Sequence, residues 1–206
     1  MKKLLLLSCS LLFLANCGKK EDKVEEDSTS ISDVFNGAKN LNNLSNSLED
    51  IQKETEELKK LAPISNDALK AVMPETVMGM KRTSISVGDN SMIQMSSAEA
   101  EYTGEENKKV KITVMDGAGE TGSAMISMMK MGLATNSEKT TDTSFEKMGE
   151  FNGVKASIKE RNKDTFVDSE IQYILKSRFL VTIEGNGYTT DELKVVMDTI
   201  NSSDLK

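Results

Sequence analysis

The residues of this chain that could do chemistry are methionines, glycines and carboxylates, because its 206 residues include no histidine. Met125-Ile126-Ser127-Met128-Met129-Lys130-Met131 contains the MxxM and MxM spacings of copper-handling proteins, whose thioethers are soft ligands that prefer Cu(I). Met78-Gly79-Met80 and Met92-Ile93-Gln94-Met95 add further examples. On a helix, however, Met125, Met128 and Met129 share one face, where an adaptable thioether fills a core. Met131 points elsewhere, and on a strand Met92 and Met95 would face opposite ways. Core packing is the ordinary explanation, and Cu(I) handling is the alternative held beside it. Without histidine, Ser–His–Asp and Cys–His arrangements are absent, as are zinc sites built on histidine. A carboxylate-dependent hydrolase is the remaining catalytic option, since 33 acidic residues must include some surface neighbours. None of them falls in a recognisable constellation, no G-x-S-x-G occurs, and nine Phe and Tyr are few for a sugar-binding cleft. The chain reads as no enzyme, and no catalytic, metal or cofactor-binding residue is assigned.

Gly117, Gly119 and Gly122 spell GxGxxG after one expected strand and at the mouth of a helix, as a dinucleotide turn would. The context opposes that use. Lys111 and Thr113 give the preceding strand a polar face, and the short turn 104–108 makes it antiparallel to its predecessor. No strand ends in an acidic residue about 20 positions later, as the fingerprint requires. Turn geometry is the expected reason for these glycines.

Cys17 is chemically the most specific residue. Lys2 and Lys3 precede a short apolar run, Leu4 to Ala15, too short for the roughly 20 residues of a spanning helix. A basic start, a short apolar core and a small-residue end form a secretory signal. Leu14-Ala15-Asn16-Cys17 resembles the lipobox of bacterial lipoproteins, with Asn16 standing where a smaller residue is usual. The resemblance implies cleavage after residue 16, lipidation of Cys17 and attachment to a membrane of the cell envelope, the outer membrane being favoured over others. Cys9 has only four apolar residues before it and fits poorly. Losing Lys2 and Lys3 takes the formal charge from −7 to −9. So acidic a chain has no footprint for nucleic acid and is repelled by anionic lipid. The lipid itself must therefore hold it at the membrane.

The elements behind that anchor divide by composition. Residues 17–30 hold the lipid-bearing cysteine and a charged tether without a core. Ile31 to Leu61 reads as an amphipathic helix within segment 31–62. Val34, Leu41, Leu44, Leu48, Ile51 and Leu58 lie on its seam, Gly37 and Thr55 weaken it, and Pro63 stops it. A short helix, Asn66 to Met73, ends at Pro74.

From Met80 the period becomes alternating. Strands are expected at Met80–Val87, Ile93–Thr103, Lys109–Met115, Phe145–Phe151, Val154–Arg161, Ser169–Lys176 and Arg178–Glu184, the last two as a hairpin. Helices are expected at Thr121–Leu133 and Thr190–Ile200. Residues 64–206 are thus expected to be an α+β domain. Its mainly antiparallel sheet has six or seven strands and two packed helices, behind the long amphipathic helix.

Met115-Asp116-Gly117-Ala118-Gly119-Glu120-Thr121 matches Ile183-Glu184-Gly185-Asn186-Gly187-Tyr188-Thr189 in pattern. Met125, Met128 and Met129 also match Leu193, Val196 and Met197 in offset, so both helices are expected to pack on the sheet alike. Upstream the alternation slips by one residue, which flips the strand's faces unless a bulge at Val114-Met115 restores them. The function expected from all this is a lipid-anchored, non-enzymatic binding module. Its partners would be the membrane, through Cys17, and an envelope protein or the cell wall.

Overall fold

The computed structural model describes residues 31–206 except 91–94, 152, 164, 204 and 206, with the side chains of 31–44 and 89–90 also outside the description. Its contacts divide the chain into two compact units, Met1–Lys39 and Asn40–Lys206. Of the first unit only the opening turns of helix α1 (Ile31–Lys59) are described. The second unit carries the rest of α1 and an α+β fold.

Nine strands form one antiparallel sheet in the order β1-β2-β3-β4-β9-β8-β7-β6-β5. They are β1 (Thr76–Val77), β2 (Met80–Asn90), β3 (Met95–Thr103), β4 (Lys109–Asp116), β5 (Glu138–Thr140), β6 (Ser144–Phe151), β7 (Val154–Asn162), β8 (Val167–Leu175) and β9 (Phe179–Asn186). Two meanders, β1–β4 and β5–β9, join where β4 pairs with β9. All seven strands expected from alternation are present, and β1 and β5 are additional. With two and three residues these edge strands are too short to show a period. The hairpin reading of residues 169–184 holds. β8 and β9 meet at a turn closed by Arg178 N–H donating to Leu175 O, with Lys176 and Ser177 at φ of 51° and 56°. Two positive φ values mark a type I′ hairpin turn, built here without glycine.

One sheet face carries the main core. Ala98, Ala100 and Tyr102 of β3, Val110, Ile112 and Val114 of β4, and Val181 and Ile183 of β9 are buried there. Ile171 and Tyr173 of β8 and Ala156 and Ile158 of β7 continue the layer. Helix α2 (Asn66–Val72) covers β2 and β3 with Leu69 and Val72. Helix α4 (Thr190–Met197) covers β7, β8 and β9 with Leu193, Val196 and Met197, as its offsets predicted. Its start is fixed by a capping box in which Thr189 and Glu192 satisfy each other's backbone N–H groups. The backbone hydrogen bond from Thr189, then the one from its hydroxyl, holds the Glu192 carboxyl below its ordinary pKa.

Helix α3 (Gly119–Leu133) behaves differently. It lies against β3, β6, β7 and β8, yet its buried Ile126 and Leu133 stand outside the main core. Ser157, whose side chain alternates away from Ala156 and Ile158, is also buried. These burials place α3 on the opposite face. The expectation that both helices pack alike is therefore corrected. β4 pairs with β3 and β9 without a bulge, so the one-residue slip between the two matched segments is real. Ile183 points into the main core, whereas its counterpart Met115 points away, and the same turn then delivers α3 to the other side of the sheet.

Candidate functional site

Cys17, the expected lipidation site, lies outside the described residues, as do segment 1–16 and the tether up to residue 30. The chemistry-bearing residues of the domain can be placed one by one.

The GxGxxG glycines sit in the β4–α3 turn, and each meets a structural need. A Cβ at Gly117 would collide with Arg178 O and with Ile126, and one at Gly122 would lie 2.7 Å from Asp116 O. Gly119 has φ of +80°, where side chains are strained. β4 is antiparallel to both its neighbours, unlike the strand of a dinucleotide turn.

The methionines do not lie as expected. The buried positions of α3 are Gly122, Ser123, Ile126 and Leu133, one step around from the predicted face. Met128 is 69% exposed, Met131 is also exposed, and Met125 and Met129 are half-buried. The helix begins at Gly119, two residues before Thr121, and its N-cap Ala118 makes no side-chain cap bond. Nothing local resembles the Thr189 box, so the match in offset did not carry over into a match in face. Met78 is exposed in a turn while Met80 is buried, and Met92 lies outside the described residues.

Asp116 ends β4 fully buried and accepts four hydrogen bonds. Arg178 donates from Nε (2.7 Å) and Nη2 (2.8 Å), and the backbone N–H groups of Ile64 (2.8 Å) and Ala118 (3.0 Å) complete the set. Arg178 also donates to Ala62 O (3.0 Å). The pair ties the β8–β9 hairpin, the entry to α3 and the α1–α2 linker into one joint. With its lone pairs engaged by these donors, the carboxylate acts as a structural bracket.

The part of the outer face that α3 leaves uncovered is a different environment. Register places Ser84, Glu101, Lys111, Glu184, Glu170, Lys159, Glu146 and Lys139 in one row across eight strands. Most of that row lines a shallow depression of about 650 Å³. Lys111 Nζ reaches Glu184 at 2.5 Å and Glu99 at 3.8 Å. Lys159 Nζ reaches Glu170 at 3.5 Å and Glu146 at 4.0 Å. The hydrogen bond to Glu184, then the charges of Glu184, Glu99 and Glu101, raise the Lys111 pKa above its ordinary value. Glu170 and Glu184 stand directly opposite each other on β8 and β9, an unfavourable like-charge pair that the flanking lysines offset. Lys109, Lys139 and Arg161 also line the depression and form no ion pair among the described residues. No three acidic side chains among the described residues are grouped as a cation site.

Sequence reasoning missed this row. Its only sequence signal is the charge at alternate positions of each strand. Which charges become neighbours depends on the non-local β4–β9 pairing, which a period cannot supply. No family model, curated protein or solved structure matches the chain.

Proposed function

We propose that this chain is a lipid-anchored lipoprotein of the bacterial cell envelope, acting as a non-enzymatic binding module through the uncovered half of its outer sheet face. The lipobox-like Leu14-Ala15-Asn16-Cys17 supports the anchor. The observation that carries the binding role is the open depression, where the charge row ends in Lys139 and is flanked by Lys109 and Arg161, three cations that form no ion pair among the described residues. Ion pairs as exposed as Lys111–Glu184 add at most about 1 kcal/mol each, so stability alone does not account for so ordered a row. Interleaved charges set register and partner choice at an interface more than they set affinity. The partner is a second envelope component, protein or wall, presenting anionic groups to those cations.

Two measurements test this. Cys17→Ser should shift the chain out of the membrane fraction or leave it uncleaved. Retention of a cleaved Cys17→Ser chain on membranes through a high-salt wash would refute the anchor. A photo-crosslinker replacing Lys139 should capture a defined envelope partner from living cells. Changing Lys109 and Arg161 to Glu should reduce that capture at least about ten-fold, the cost of losing two charge contacts. Capture unchanged by both reversals, or turnover of a small substrate by the domain, would refute the binding role.

A further inference from the structure

The two edges of the sheet are finished differently. β5 closes one edge with three exposed residues, Glu138, Lys139 and Thr140, and Glu138 pairs with Lys147 at 3.1 Å. A short, charged strand is the usual guard against unwanted pairing. β1 guards the other edge only at its end, where Thr76 and Val77 pair with Lys81 and Met80. Beyond the bulge between Arg82 and Ser84, the outer side of β2 has no partner among the described residues. Ser84-Ile85-Ser86-Val87-Gly88 carries neither charge nor proline along that open edge. Ile85 and Val87 are half-buried and pack against the main core, while Ser84, Ser86 and Gly88 are exposed.

We infer that β2 is a homodimer edge, on which a second copy of this chain adds its own β2 antiparallel about a two-fold axis at Ser86. The pattern of the strand selects both the occupant and the register. Antiparallel pairing centred on Ser86 sets Ile85 against Val87 and Val87 against Ile85, on the face that already holds the core. Ser84 then meets Gly88, and Ser86 meets itself on the outer face. Centring on Ile85 would set Val87 against the bulged Thr83, and centring on Val87 would set Ile85 against Asp89. Only the Ser86 axis buries both apolar residues of both copies. A self-complementary patch of this kind closes as a symmetric pair and extends no further. Strand addition supplies main-chain hydrogen bonds, with side chains on alternate positions fixing the register. The inference does not depend on the charged depression, which lies on strands β3 to β9.

Oxidative crosslinking of the full chain in the membranes of cells that make it tests the axis. Cys9 and Cys17 are the only native cysteines, and the wild-type chain sets their background. Directly opposed residues lie about 5 Å apart at Cα, within disulfide reach. S86C should therefore give a product of twice the chain mass, with the S86C peptide joined to itself. S84C is the register control. Its two copies would sit four residues apart along the strands, roughly 13 Å, and should give at least about ten-fold less dimer. Ser86→Lys, which sets like charges together on an exposed position, should lower the dimer fraction of the detergent-solubilised chain in sedimentation. Equal crosslinking by S84C and S86C, no dimer above wild type, capture of a different chain by S86C, or a dimer fraction indifferent to Ser86→Lys would each overturn the inference.

Discussion

Asp116 shows how one residue can resemble a functional group and serve as structure. Its position at a strand end beside a glycine-rich turn is where a site would be sought, yet its carboxylate is enclosed by Arg178, Ile64 and Ala118. Removing one partner of such a pair strands a charge in the interior, at a cost of about 3–5 kcal/mol. Asp116→Ala and Arg178→Met are each expected to destabilise the domain by about that amount in urea unfolding. The double variant should lose clearly less than the sum of the two, because no unpaired charge remains. Additivity within about 0.5 kcal/mol would show that the two groups are not coupled. The sequence displayed Asp116 only as part of a turn. Its partner Arg178 lies in the β8–β9 turn, just before Phe179, and nothing local connects them.

At the scale of elements, α3 and α4 separate what local pattern decides from what it leaves open. α4 starts at its capping box and buries the residues its period predicts, because Thr189 and Glu192 fix the first turn by themselves. α3 has no such cap, begins before Thr121 and turns a different face to the sheet. Unfolding measurements can check that face. Ile126→Ala should cost about 2–5 kcal/mol, as for a buried aliphatic side chain. Met128→Ala, at an exposed position, should stay within about 0.5 kcal/mol. The reverse order would restore Met125, Met128 and Met129 to the core. The long helix followed its pattern in extent, ending at Lys59 against the expected Leu61. Of its seam, Leu48 is exposed, Ile51 is half-buried and Leu58 is buried, so the described part docks at its C-terminal end.

At the scale of the whole molecule, the C-terminal half of α1 belongs to the body that the sheet organises. Glu54 pairs with Lys130 of α3, Leu58 is buried, and Ala62 and Ile64 hydrogen-bond into the Asp116–Arg178 joint. A chain beginning at residue 64 is therefore expected to melt about 5 °C or more below one beginning at residue 40. That shift corresponds to the roughly 2 kcal/mol of burying one leucine side chain. Equal melting temperatures would show that α1 contributes nothing to the body. Alternation and capping by themselves determined the α+β class, seven of the strands, the presence of the helices and the faces turned to the main core. Helix ends moved by one to three residues, as at Gly119 for the expected Thr121 and Met197 for the expected Ile200. Both signals are local, carried by residues within a few positions of one another. The side of the sheet that α3 covers, the burial of Asp116 against Arg178 and the charge row from Glu101 to Lys139 were decided by the tertiary structure alone. Each depends on which distant strands become neighbours and in what register, and a shift of one residue would have reversed every face.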